Sequence, residues 1–369
     1  MTAHARTPIG VAAAAVAAAL LLGACSSDET ATLSADADNL TPLEAGFIAK
    51  DIGKNITTTG TVHPEQAATV TPSGTLTISA IQELGSVPPG ELGADAPQTG
   101  EQVEAYGPAE GEVLRVIDLT YTPVDPEKTN LGDKNPATDL SINLDGTQVH
   151  LYGFDRQQQE HRVLVSVPEA GSAQLVISSE SHDQFADVFT GERQEDEASA
   201  AYYLPNSRQE PAHTFNIDSD TFPTQTSTGK ARGDITTDFT VKAISAELTA
   251  WSPDDGWAEP GKAWLAVTWN HDLGLATDAT VLSKIDDLKT ALSIDVSGTV
   301  TKDEIHVENE IGSVKGDRTV YVSVSIDTAE VVLSVSGAVT VSTPNGSGLE
   351  MAGETSADFE SDELTVAFT

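Results

Sequence analysis

The chain is poor in cysteine, in basic residues and in aromatics. Cys25 is the only cysteine among 369 residues, Lys and Arg number 19 against 57 Asp and Glu, and aromatics make up 5%. A lone thiol forms no internal disulfide, so whatever folds here is held by packing alone. A net charge of −38 excludes nucleic acid as a partner, because phosphate backbones are bound by cations. No apolar run reaches the roughly 20 residues that span a bilayer as a helix. Motifs of chemistry are missing too. There is no Gly-x-Ser-x-Gly elbow, no His-x-His or His-Glu-x-x-His, and no EF-hand loop with its distal glutamate. The expectation is a non-catalytic protein.

The longest apolar run, Val11 to Leu22, follows Arg6 and is signal-peptide length. It ends in Leu22-Gly23-Ala24-Cys25, which looks like a bacterial lipobox: an aliphatic residue, two small ones, and a thiol that takes up diacylglycerol. That resemblance implies cleavage before Cys25 and a lipid anchor at the extracytoplasmic face of the cell membrane. Each buried acyl CH₂ contributes about 0.8 kcal/mol, and two or more chains make the anchor durable. Loss of residues 1–24, which hold Arg6 and no acidic residue, takes the net charge from −38 to −39. With charged residues at 21% and scattered among Val, Ile and Thr, the acidic remainder reads as globular rather than disordered.

Residues 25–65 read as a polar tether followed by a short helix. Thr41-Pro42-Leu43-Glu44 fits a capping box with proline at the first helical position, and Gly53 is the stop. From residue 66 the texture becomes short alternating runs of Val, Ile, Thr and Ser between Gly, Pro, Asn and Asp, which are strands and turns. Asp278–Leu292 is the one later stretch with a helical period. An internal repeat organises the rest. Leu140-Ser-Ile-Asn-Leu-Asp-Gly-Thr147 recurs as Leu292-Ser-Ile-Asp-Val-Ser-Gly-Thr299, Val163–Val167 as Val320–Val324, and Ala173–Ser178 as Ala329–Ser334. Upstream, Leu76–Ala80 matches Phe239–Ala243 and Gly111–Leu119 matches Gly261–Trp269.

The expected fold class is therefore all-β, with two tandem immunoglobulin-like β-sandwiches at 66–205 and 233–369. A linker over 206–232 joins them, and the signal peptide and tether precede them. Strands such as Trp264–Trp269, the Pro168-Glu169 turn and the lipobox together resemble the immunoglobulin-like modules of actinobacterial surface lipoproteins. That resemblance implies a fold and a place, with no intersheet cysteine pair and no agreed activity.

Candidate sites are few. Ser227-Thr-Gly-Lys230 satisfies Ser-x-x-Lys, the pattern of a remote alternative, an envelope hydrolase, but it lies in a linker without companion motifs. His150 and His161 flank a possible hairpin. Asp218-Ser-Asp220 is the weak calcium candidate, with turn chemistry as its ordinary explanation; no other cofactor is expected. All four tryptophans fall in the second copy. Trp264 and Trp269 point to opposite faces of one strand. Trp251 and Trp257 flank Ser-Pro-Asp254-Asp255-Gly, where open indoles beside carboxylates would stack on sugar rings, and buried indoles would pin the loop to its sandwich. The leading expectation is a membrane-anchored binding module for an envelope protein or a cell-wall glycan. The alternative is a lipoprotein that binds divalent cations or small solutes.

Overall fold

The computed structural model describes residues 40–368 apart from 57–58, 99–101, 126–130, 132–133 and 279–280. The lipobox residues Leu22, Gly23, Ala24 and Cys25 lie outside the described residues. The chain is all-β: among the described residues the helical pieces are 3-10 turns of three or four residues. No described helix is long and apolar enough to cross a membrane.

Seven strands of each sandwich occupy matching places. The first contains β1 (Gly74–Leu84), β2 (Glu112–Pro123), β3 (Thr138–Leu144), β4 (Thr147–Phe154), β5 (Gln159–Pro168), β6 (Ala173–Ser179) and β7 (His182–Asp187). The second contains β8 (Ala231–Thr249), β9 (Lys262–Thr277), β10 (Lys284–Val296), β11 (Thr299–Glu310), β12 (Val314–Ser325), β13 (Glu330–Ser342) and β14 (Ser356–Glu360). The first pairs as β5-β2-β1 and β7-β6-β3-β4, the second as β12-β9-β8 and β14-β13-β10-β11. The two orders are the same. Both place the fourth strand beside the third, where a constant-type immunoglobulin domain would put it on the opposite sheet.

The alternation of each strand explains its place. Ile117, Leu119 and Tyr121 of β2 point inward against Ile142, Val165 and Leu175. Val267, Trp269 and Leu273 of β9 do the same against Leu292, Val335 and Val339. Turn residues close the hairpins. Asp145-Gly146 and Ser297-Gly298 both adopt positive φ (49° and 86°, 53° and 86°), the geometry that suits the twist of a two-residue β-hairpin.

Three of the expected matches fall in register: Gly111 with Gly261, Leu140 with Leu292, and Val163 with Val320. Two are displaced by a pair of residues. Ile78 stands opposite Leu119 as Ala243 stands opposite Trp269, so Ile78 corresponds to Ala243 and not to Val241. Likewise Leu175 corresponds to Leu333, not Val331. A slip of two leaves the inside-outside alternation intact, so the apolar pattern alone does not fix it.

Both expected helices are strands. Thr41–Pro42 pairs parallel with Tyr106–Gly107, the chain turns at Gly46 (φ +69°), and Ile48–Lys50 adds an edge strand to β5. The capping-box pattern is overridden because Leu43, Ala49 and Ile52 bury themselves on the outer face of the β5-β2-β1 sheet, against Leu84, Leu114, Val116 and Leu164. The stretch expected as helix at 278–292 runs into β10, clamped between β11 and β13. The expected linker 206–232 is also structured. Arg208–Gln209, His213–Thr214 and Thr221–Thr226 all pair with β8.

Candidate functional site: the cleft between the sandwiches

The two sandwiches meet through side chains contributed by both. Tyr203, at the end of a 3-10 turn (Ala200–Tyr203), accepts a hydrogen bond from the Val70 N–H (2.9 Å) and donates one to Gln184 Oε1 (3.1 Å). Its neighbour Ala201 is buried in the second core. Burial pushes the Tyr203 phenol above its ordinary pKa. The Arg193 guanidinium stacks 3.4 Å from the Tyr203 ring centroid. From the other side, the Trp257 indole N–H donates to the Ser179 carbonyl (3.1 Å) and its ring packs on His182 and Tyr202.

This arrangement settles the geometry of Trp251, Asp254, Asp255 and Trp257. Trp251 and Trp257 are cross-strand partners in a tight hairpin closed by Gly256 (φ +82°). The Ser252 hydroxyl accepts the N–H groups of Asp254 and Asp255, both at 3.3 Å. Trp264 donates to the Gly256 carbonyl beneath (3.0 Å), and Trp269 is fully buried in the core. Trp251 is 5% exposed. Of the two alternatives for these indoles, the geometry is that of the buried one: Trp251 is enclosed at the cleft, and Trp257 packs against the second core and onto the neighbouring sandwich.

Beside the hairpin a cleft of about 230 Å³ separates the sandwiches. Its floor is the outer face of the β12-β9-β8 sheet, where cross-strand register lays down two rows. One is Ser245, Thr268 and Thr319; the other is Glu247, Ala266 and Tyr321. Thr268 and Thr319 hydroxyls are 2.9 Å apart. Arg208, opposite Glu247 in the register, donates to Glu247 Oε2 (2.7 Å) and to Glu210 Oε1 (3.1 Å). Burial works against the Arg208 charge, but the two carboxylates outweigh it and hold its pKa above the ordinary value. Burial, with the negative charges of Glu247 and Asp254, pushes the Tyr321 phenol up to about 12. Val70, Thr71, Pro72, Val124 and Leu131 of the first sandwich form the facing wall. The Trp251 indole N–H, also at the lining, has no hydrogen-bond partner among the described residues. Hydroxyls, one ion pair and aromatic edges in a half-enclosed space are equipment for holding a polar ligand, since such groups fix orientation by hydrogen bonds.

The remaining expectations fall elsewhere. Ser227 and Lys230 sit in the hairpin turn closed by the Thr226–Lys230 backbone bond (2.9 Å), so the lysine is not one helical turn from the serine. His150 is on β4 and His161 on β5, in different sheets. The His161 ring nitrogens lie against Asp51 Oδ1 (2.8 Å) and Gln159 Oε1 (3.2 Å). Asp218 is exposed, and Asp220 uses its backbone to pair with Thr237. Sequence reasoning did not single out Arg208, Glu247 or Tyr321. The available signal was that Ser245, Thr249, Ala266, Thr268 and Thr319 stand at outward positions of β8, β9 and β12, whereas β1, β2 and β5 carry Leu84, Leu114, Val116 and Leu164 at theirs. No protein-family model matches the chain and no curated protein sequence matches it.

Proposed function

We propose that this chain is a non-catalytic lipoprotein of the cell envelope, anchored by lipid on Cys25, that recognises a protein or cell-wall partner in the cleft between its sandwiches. The observation that carries this reading is the polar floor of the cleft. A sheet face that would ordinarily be covered by apolar packing is instead lined by Ser245, Thr268, Thr319, Glu247 and Tyr321, with Arg208 held over it. The signal-like N-terminus and the lipobox support the location, and the matching strand orders support an origin by duplication.

Photo-crosslinking on intact cells tests the reading. A photoreactive residue in place of Thr319, in the cleft, is expected to capture an envelope protein or wall fragment reproducibly. The same residue in place of Val300, 54% exposed on β11, is expected to capture little. Equal capture at both positions, or none at Thr319, would overturn it. Cys25→Ser is expected to release the protein from the membrane fraction.

A further inference from the structure

The hairpin β10–β11 is longer than its counterpart β3–β4. Thr138 and Phe154 face each other where the first hairpin ends, and Thr290 and Ile305 occupy the same place in the second. Beyond that pair β10 and β11 continue, and the continuation carries Asp287, His306 and Glu308. Asp287 and Glu308 are direct cross-strand partners, and His306 lies two residues from Glu308 on the same face. His306 Nε2 is 2.7 Å from Asp287 Oδ1 and 3.5 Å from Glu308 Oε1. One ligand atom from each residue lies within 4.8 Å of the others.

We propose that Asp287, His306 and Glu308 form a surface site for a zinc-class divalent cation. One imidazole and two carboxylates are the donor set of that class, with bonds of about 2.0–2.2 Å. Bonds of that length in a tetrahedron put neighbouring ligand atoms roughly 3.3 Å apart. The two distances from His306 Nε2 bracket this value, so small rotamer changes accommodate the ion. Calcium is disfavoured, because it takes about 6–8 oxygen ligands.

Three protein ligands leave a coordination position open. The side chains are 44% (Asp287), 49% (His306) and 66% (Glu308) exposed, so the open position is accessible. His306 also lines a shallow groove of about 330 Å³ with the small residues Ala291, Ser336 and Ala338. A cation here therefore stands at the edge of the groove, able to take its fourth ligand from water or from a carboxylate or imidazole on a partner. The opposing influence is Lys289, whose Nζ lies 3.8 Å from Asp287 Oδ2 and competes for that carboxylate.

Titration of the full chain with zinc by calorimetry, and with cobalt(II) by visible absorption, tests the site. Other histidines also contact carboxylates, so the readout is the difference made by His306→Ala. That variant is expected to lose one equivalent of zinc and the matching cobalt band, with an unchanged far-ultraviolet circular dichroism spectrum. Asp287→Asn and Glu308→Gln are expected to weaken binding at least tenfold, and Lys289→Ala to tighten it a few-fold. Zinc and cobalt titrations indistinguishable between wild type and His306→Ala would overturn the proposal, as would a preference for calcium over zinc at this site.

Discussion

The same sheet occurs twice in this molecule and faces two different environments. In the first sandwich the outer face of β5-β2-β1 presents Leu84, Leu114, Val116 and Leu164, all buried under segments on either side of it in sequence, including Leu43, Ile52, Val87 and Tyr106. In the second, register places Thr249, Trp264, Ala266 and Tyr321 at the corresponding points. The first sheet also carries the bidentate pair Arg162–Asp118, where the second has Thr319 and Thr268, bonded through their hydroxyls. One topology thus supports a second small core in one copy and a cleft in the other. The difference lies in a handful of outward-facing side chains, because the inward-facing ones are constrained by the packing of the sandwich itself.

The largest expected effect contrasts Leu164 with Tyr321, which occupy the same place. Leu164→Ala removes a side chain from a sealed apolar layer and is expected to cost about 2–5 kcal/mol. Tyr321→Ala, at the open cleft, is expected to cost less than about half of that and to impair partner capture instead. Chemical denaturation followed by circular dichroism measures both. Equal destabilisation would show that the cleft floor is a packing surface rather than a binding one.

A second contrast concerns the threonines Thr138 and Thr290. Thr138 Oγ1 lies 2.7 Å from Thr71 Oγ1 and 2.5 Å from Ser73 Oγ, and Ser73 in turn accepts the Tyr121 hydroxyl at 2.8 Å. Thr290 is as deeply buried, yet its hydroxyl has no partner among the described residues. Replacing Thr138 by Val leaves Ser73 and Thr71 short of a partner and is expected to cost roughly 1–3 kcal/mol, whereas Thr290→Val is expected to be neutral or stabilising. Destabilisation by Thr290→Val, read from the shift in denaturation midpoint, would indicate a water or ligand bound to that hydroxyl.

How much of this was legible in the sequence follows from what each feature depends on. All-β character and the hairpin turns are local, set by alternation and by Asp145-Gly146 and Ser297-Gly298, and they can be read directly. The strand register is half legible: glycine turns pin the β2–β9 and β3–β10 matches, while β1–β8 slides by two because alternation is blind to such a slip. The capping pattern of segment 41–51 misleads because it is local and the burial of Leu43, Ala49 and Ile52 is not. Asp287, His306 and Glu308 meet only through cross-strand pairing, although His306-Val-Glu308 already places two donors on one face of a strand. The cleft depends on both sandwiches together and leaves only a faint trace in the outward Ser and Thr residues.

The smallest effect expected here separates Tyr121 from His271, which stand at matching positions of β2 and β9. Tyr121 stacks on Phe154 at 4.6 Å and satisfies its hydroxyl at Ser73. His271 is 5% exposed, tilts against Trp269 at 5.4 Å, and its Nδ1 has no partner among the described residues. Burial lowers its pKa, and the positive Arg318 adds to this; Asp317, Asp272 and Asp303 oppose it without reversing it. The unfolded chain therefore binds a proton at this position at a higher pH than the folded chain does. Stability is unaffected above the ordinary histidine value of about 6.5 and declines as pH falls from there toward the folded pKa. The Asp303 window lies lower. Burial alone would raise its pKa, but hydrogen bonds from Arg318 and Trp269 outweigh burial and depress it, so its stabilising contribution is lost only below the carboxylate range of about 4. Because every tryptophan lies between Trp251 and Trp269, tryptophan fluorescence during melting reports the second sandwich and, through Trp257, its contact with the first. The melting temperature by this probe is expected to drop by a few degrees between about pH 6.5 and pH 5, at roughly 2–4 °C per kcal/mol. In His271→Phe that drop is expected to shrink. An unchanged drop would place the proton uptake elsewhere and make the two matching positions equivalent in their response to pH.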